Sequence, residues 1–260
     1  MRSALFLLFF CVTPLAIAQT TDCPLSSTIV VDGKVDDWTM SWIEDEDKEF
    51  SYNFCADDQY LYVRAKTSEF FTKRKLAIFG FTLWFDPNGK KKRTYGLKFP
   101  VGGAEAEERM AQANQLVPTA NTTGERADFQ KAADRMLIEN LEVLELIGLS
   151  DDPLTATRSG ITNGIKVAID MDDMGAYTYE ALIPFKSFRL SRQGMSGLYV
   201  GLETGKFTVP KQKPTTKNAP VAGPDLTPSQ LSRMQGYGNL QGNPKLTYAS
   251  DVWIKMPSKN

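Results

Sequence analysis

Ile29-Val30-Val31-Asp32-Gly33-Lys34-Val35-Asp36-Asp37-Trp38 is the stretch on which the fold turns. Three β-branched residues predict a short strand, Asp32-Gly33 a tight turn, and Trp38 an aromatic plug for one end of a β-sandwich. Outward from there, most of the chain keeps a period of two, the mark of strands with one buried face. Phe50, Tyr52, Phe54 and Ala56 alternate with Ser51, Asn53 and Cys55. After a polar Asp57-Asp58-Gln59 turn, Leu61, Val63 and Ala65 face one way, and Tyr60, Tyr62 and Arg64 the other, so the pair reads as a hairpin.

A second hairpin is clearer. Phe79, Phe81, Leu83 and Phe85 share a face and run into Asp86-Pro87-Asn88-Gly89, with proline and glycine where a type I turn prefers them. Lys90-Lys91-Lys92-Arg93 then reads as the exposed start of the return strand carrying Tyr95, Leu97 and Phe99, and its charge discourages edge-to-edge pairing. Further strands are predicted at Leu141–Ile147, at Ile165, Val167 and Ile169, at Tyr177 to Ile183, and at Leu198, Val200 and Leu202. The last carries Val252, Ile254 and Met256, with Trp253 on the opposite side. An Asp172-Asp173-Met174-Gly175 turn joins two of them, and Pro184 ends one.

Two regions break the alternation. Residues 103–140 have helical character: Ala104 to Leu116 by composition, then a helix opened by Thr122 and Glu125 at capping-box spacing. Phe129, Ala132, Ala133, Met136 and Leu137 form its apolar stripe, expected to pack on the core. Residues 209–245 hold six of the fourteen prolines, a run expected to form a long loop that is either mobile or laid over a ligand site. The expected architecture is all-β: a single sandwich domain of two antiparallel sheets over residues 19–260, with an α-helical insertion at about 103–140.

Residues 1–18 have the form of a signal peptide, with Arg2, an apolar run from Ala4 to Val12, Pro14, and Ala16-Ile17-Ala18 before the cleavage point. A secreted or periplasmic protein is the expectation, with no transmembrane segment in the mature chain. Losing Arg2 moves the net charge from −1 to −2. No basic surplus exists to neutralise a phosphate backbone, so nucleic acid is an unsuited partner. Cys23 and Cys55 remain after cleavage. They form one disulfide or stay as two buried thiols, and spacing does not decide between these.

The chain has no histidine. That removes the Ser-His-Asp and Cys-His nucleophile systems and zinc or haem sites built on imidazole. An enzyme would have to use carboxylates, lysine, tyrosine or serine. Glu180 and Glu203 fall on expected strands, but nothing in the sequence orders them into a pair, so no catalytic residue is assigned. Asp36-Asp37, Asp57-Asp58 and Asp172-Asp173 offer oxygens for calcium, yet none follows a known calcium-loop signature, and paired aspartates are more often turn formers. Haem would need methionine with lysine, from among Met110, Met136, Met171, Met174 and Met195.

Three stretches in order carry a resemblance: Asp32-Gly33-Lys34-Val35-Asp36-Asp37-Trp38, then Ala56-Asp57-Asp58-Gln59-Tyr60-Leu61-Tyr62-Val63, then Tyr177-Thr178-Tyr179-Glu180-Ala181-Leu182-Ile183-Pro184-Phe185. Their order and spacing resemble the family 9 carbohydrate-binding modules and the wider group of DOMON-like sandwiches. Phe81 to Lys92 looks like uncharacterised exported Bacteroidetes proteins with the same core. The resemblance implies a jelly-roll-like sandwich and a non-catalytic binding role, with carbohydrate or glycan the leading ligand class. A periplasmic structural or protein-interaction domain with a cell-envelope partner is the alternative, and a haem-binding DOMON-like domain ranks below it. Sugar binding needs exposed aromatic faces. The best candidate is Trp42, beside the acidic run Glu44 to Asp47, followed by Trp84 and Trp253, each opposite the apolar face of its strand and so able to share the other sheet face. Trp38 is expected to be an anchor. Core packing is the alternative fate of every one of these indoles.

Overall fold

A computed structural model describes residues 29–47, 49–103, 106, 108, 123–161, 163–206 and 244–256. Eleven strands occur among them: β1 Ile43–Glu44, β2 Ser51–Ala56, β3 Tyr60–Thr67, β4 Phe81–Asp86, β5 Tyr95–Lys98, β6 Val143–Ile147, β7 Leu154–Thr157, β8 Lys166–Met171, β9 Tyr177–Pro184, β10 Tyr199–Thr204 and β11 Asp251–Lys255. They form a five-stranded sheet in the order β1-β2-β3-β9-β8 and a six-stranded sheet in the order β11-β10-β4-β5-β6-β7. Every pairing is antiparallel.

The period of two explains the packing. Tyr52, Phe54, Leu61, Val63, Tyr179 and Ala181 from the first sheet meet Phe81, Leu83, Phe85, Leu97, Leu144, Val200 and Leu202 from the second in one buried cluster. Phe81 and Tyr179 meet edge-on across the layers at 4.9 Å. Burying a side chain of this size is worth roughly 1.5–3 kcal/mol, so the inner faces supply most of the driving force.

Four local expectations change. Residues 29–31 do not form a strand; they run as an irregular strap in which the Asp32 amide reaches back to the Val30 carbonyl at 3.1 Å, bent at Asp32-Gly33 and followed by a single 3₁₀ turn at Val35–Asp37. Phe79 is not in a strand but ends helix α1, Phe70–Phe79. The Glu69 carboxylate accepts the Thr72 amide at 2.6 Å to open that helix, and Gly80, at φ 96°, closes it. Only a glycine fits there, since a Cβ would stand 2.7 Å from the Val101 carbonyl oxygen. Lys90–Arg93 is loop, and the return strand starts at Tyr95. Edge strand β7, mostly exposed, was not expected at all.

The second helix, α2, spans Thr123–Ile138. Ala133 and Leu137 are buried, Phe129 and Met136 half-buried, and Ala132 exposed, so the stripe is narrower than its spacing suggests. Asp134 ties α2 to α1: it accepts a hydrogen bond from Lys73 Nζ at 2.6 Å and forms an ion pair with Arg74 Nη2 at 3.2 Å. Thr122, most of 104–116, and 209–243 lie outside the described residues. Among the described residues no helix is long and apolar enough to cross a membrane.

Candidate functional site

The outer face of the six-stranded sheet carries an aromatic row. Alternation sends Leu83, Val200 and Ile254 inward, so Trp84, Gly201 and Trp253 point outward. Gly201 of β10 is the register partner of both Trp84 on β4 and Trp253 on β11. The tryptophan Cα atoms are therefore two strand spacings apart, about 10 Å. Three fused-ring atoms of Trp253, Cδ2, Cε2 and Cε3, each lie 3.1 Å from where a Gly201 Cβ would be. Equal distances mean the ring lies flat over β10. Trp84 leans the same way, its Cζ3 2.8 Å from a Cβ position on Gly96 of β5. The two indoles are tiled over glycines, each half-buried with an outer side left to solvent.

Polar groups border this row. Glu203 accepts Trp84 Nε1 at 2.6 Å and a two-pronged contact from Arg93, Nε to Oε2 at 2.6 Å and Nη2 to Oε1 at 3.0 Å. Hydrogen bonding to Glu203 raises the Arg93 pKa further, so this guanidinium stays charged. Tyr199, two residues before Gly201, is half-buried on the same face. Asp86, fully buried at the end of β4, accepts the amides of Asn88, Lys90 and Lys92. Burial alone would raise its pKa, but those donors hold it below the ordinary carboxyl value.

The outer face of the five-stranded sheet is closed. Glu180, with no exposed surface, accepts Trp38 Nε1 at 2.7 Å, the Gly33 amide at 2.8 Å and the Asp32 amide at 3.2 Å. Thr178 donates its hydroxyl to the Gly33 carbonyl at 2.5 Å. A Cβ on Gly33 would stand 2.8 Å from the Asp170 amide nitrogen, so the strap lies directly on the sheet. Arg64, the register partner of Glu180, donates to the Met40 carbonyl, and its Cζ lies 4.0 Å from the Trp42 ring centroid and 5.0 Å from that of Trp38. Burial lowers the Arg64 pKa to about 10, while Glu180 and Asp37 act to raise it. Burial likewise pushes Glu180 up to about 7, against its three hydrogen bonds.

The structure thus brings together Trp84 and Trp253 and leaves Trp42 on the other sheet, half-buried and stacked on Arg64. Trp38 is 8% exposed and packs with Cys55 and Tyr62. Cys55 is disulfide-bonded; Cys23, its candidate partner, lies outside the described residues. Glu180 and Glu203 stand on the outer faces of opposite sheets, so they do not converge. At the paired aspartates weighed for calcium, Asp57 accepts the Gln59 and Tyr60 amides and the Tyr62 hydroxyl. Asp172 accepts the Met174 and Ala176 amides and pairs with Lys66 at 2.6 Å. Among the described residues no three acidic or cysteine side chains gather as a metal site would require. Met171 and Met195 are core residues, and Met174 is 89% exposed.

One nucleophile-like contact was not anticipated: Lys75 donates to the Ser250 hydroxyl. Both are buried, and burial lowers the Lys75 pKa. The Ser250 amide and carbonyl are both engaged with Thr204, so the pair clamps the approach to β11 onto α1. A notch of about 510 Å3, bordered by Asp58, Tyr60, Phe185 and Lys186, opens elsewhere. Sequence reasoning did not single out Tyr199, Gly201 or Gly96. A glycine inside an apolar alternation, as in Tyr199-Val200-Gly201-Leu202, was the available signal, because strand glycines mark close approach of another group.

No family model matches the chain, and no curated protein matches it. The fold and its site define an all-β, two-sheet sandwich with one sealed and one aromatic outer face.

Proposed function

We propose that the protein is an exported, non-catalytic binding module for carbohydrate, and that its ligand lies on the outer face of the six-stranded sheet. One observation carries the reading: Trp84 and Trp253 share a row across Gly201, each ring laid on a neighbouring strand's glycine. Two flat indole faces about 10 Å apart suit alternate sugar rings of an extended chain, whose C–H surfaces stack on aromatics. Glu203 and Arg93 supply acceptors and donors for hydroxyl groups at the border. A rigid sheet holds these groups in place before the ligand arrives, which reduces the entropy lost on binding.

The non-catalytic part rests on the carboxylates. A glycosidase pair must sit about 5–9.5 Å apart, whereas Glu180 and Glu203 belong to different sheet faces. Glu203 is held by Arg93 and Trp84, and Glu180 is sealed under the strap.

Affinity electrophoresis and a glycan array test the reading. Retardation by at least one polysaccharide is expected. Trp84→Ala with Trp253→Ala should abolish it, whereas Trp42→Ala should retain it and lose about 1 kcal/mol of stability through the missing cation–π contact. No retardation by any glycan, or retardation indifferent to the double substitution, sinks it.

A further inference from the structure

We infer that the glycan taken by this face is an acidic one, whose carboxylate or sulfate groups are met by Lys90, Lys91 and Lys92 at the tip of the β4–β5 hairpin. The inference rests on the carbohydrate reading of the same face and adds the charge of the ligand.

The three lysines are exposed and consecutive. Among the described residues none of their ammonium groups is in an ion pair, unlike Arg93, which Glu203 engages. The chain as a whole is slightly acidic, at net charge −1, so this concentration of positive charge is local.

A solvated basic loop would normally be loose, and this one is pinned. The buried Asp86 carboxylate accepts the Asn88 amide at 3.0 Å, the Lys90 amide at 2.7 Å, the Lys92 amide at 2.9 Å and the Thr94 hydroxyl at 3.4 Å. Lys91, between two of those anchors, has a left-handed backbone at φ 54°, unusual for a residue with a Cβ. A conformation of that kind persists only where its surroundings hold it.

The pinned tip also borders the aromatic row. Lys91 Nζ lies 5.8 Å from the centroid of Tyr199. Tyr199 precedes Gly201 by two residues, so it stands about 7 Å along the same face from the Trp84–Gly201–Trp253 row. A polymer stacked along the tryptophans would bring its anionic groups to the lysines. Neutral polysaccharides would use the indoles alone. Arg93 is already neutralised by Glu203, so the three lysines carry the uncompensated charge.

Affinity electrophoresis of the full mature chain decides this. The probes are polygalacturonate, alginate and a sulfated galactan as acidic glycans, β-glucan, xylan and mannan as neutral ones, and polyglutamate as a polyanion without sugar. Acidic glycans should retard the protein and neutral ones should do so about tenfold more weakly at about 50 mM salt, the preference fading at high salt. The triple substitution Lys90→Glu, Lys91→Glu, Lys92→Glu should remove the acidic preference. Its thermal midpoint should be unchanged, because the backbone amides that Asp86 holds remain. Equal retardation by neutral glycans, undisturbed by the triple variant, overturns the inference and leaves the carbohydrate reading standing. Retardation by polyglutamate equal to that by acidic glycans, or acidic binding that survives Trp84→Ala with Trp253→Ala, overturns the joint site. Silence on every glycan removes both.

Discussion

The two outer faces of this sandwich use the same ingredients to opposite ends. Each has tryptophan, glutamate and arginine. On the five-stranded sheet, Trp38, Glu180 and Arg64 are buried together, and the strap containing Gly33 lies over them. On the six-stranded sheet, Trp84, Glu203 and Arg93 are in contact too, yet they keep solvent-facing surface. Burial separates the roles. A buried carboxylate must be fully partnered, so it holds structure; a half-buried one can exchange partners with an arriving ligand.

The largest expected consequence falls on the sealed face. Glu180→Ala removes one acceptor from three donors and leaves Arg64 buried without its facing carboxylate. Breaking a buried charged cluster on one side costs about 3–5 kcal/mol. Urea unfolding should register that loss. A loss under about 1 kcal/mol would mean that the strap is not anchored through Glu180. The corresponding cluster on the open face should tolerate loss of Arg93 far better, since exposed pairs contribute little.

A pH profile sharpens the same contrast. Burial raises Glu180 from an ordinary 4.5 to about 7 in the folded protein. The folded state then binds more protons than the unfolded one between these values. Stability from this group is complete below about 4.5 and falls as pH rises through about 7, by about 3 kcal/mol in all. Asp86 and Asp172, whose pKa values are lowered, act with the opposite sign: their contribution is lost only as pH falls below the ordinary carboxyl range. The difference in unfolding free energy between the wild type and Glu180→Gln, measured from pH 4.5 to 7.5, isolates the first effect. A pH-independent difference would rule out the raised pKa.

How legible this was depends on the physics each feature obeys. The hairpins at Asp57–Gln59 and Asp86–Gly89 were readable because alternation and turn chemistry are local. Helix α1 was not. Its apolar residues Leu76, Ala77 and Ile78 are consecutive rather than periodic, and Lys73, Arg74 and Lys75 are buried by partners remote in sequence. Asp134 and Ser250 supply those partners, and no local rule finds them. Strand β7 was hidden for a different reason: as an exposed edge it has no hydrophobic alternation to show. Among the site residues, the shared face of Trp84 and Trp253 was legible from parity alone. Their register across Gly201 was not, because register is a property of the assembled sheet. Glu180 stood out as a charge in an apolar strand, but its three donors lie about 145 residues away.

A smaller effect on stability than that of Glu180→Ala falls on the open face and separates platform from packing. Gly201→Val leaves the backbone unstrained, since Gly201 is not among the glycines with positive φ. Its Cβ would meet three Trp253 ring atoms at 3.1 Å, and valine's methyl groups extend further, so the ring must lift from the sheet. Overpacking of this kind costs about 1–3 kcal/mol, less at a half-exposed site where the ring can swing into solvent. If the tiled indoles serve only to cover strand glycines, the variant loses that modest stability and nothing else. If they form a ligand platform, glycan retardation disappears while most of the fold's stability remains. Because Glu180→Ala weakens the fold on the far sheet without touching Trp253, the two variants should dissociate: one loses stability and retains binding below its melting point, the other does the reverse. Parallel loss of both properties in both variants would show that the faces are one cooperative unit and that the contrast between them has no functional meaning.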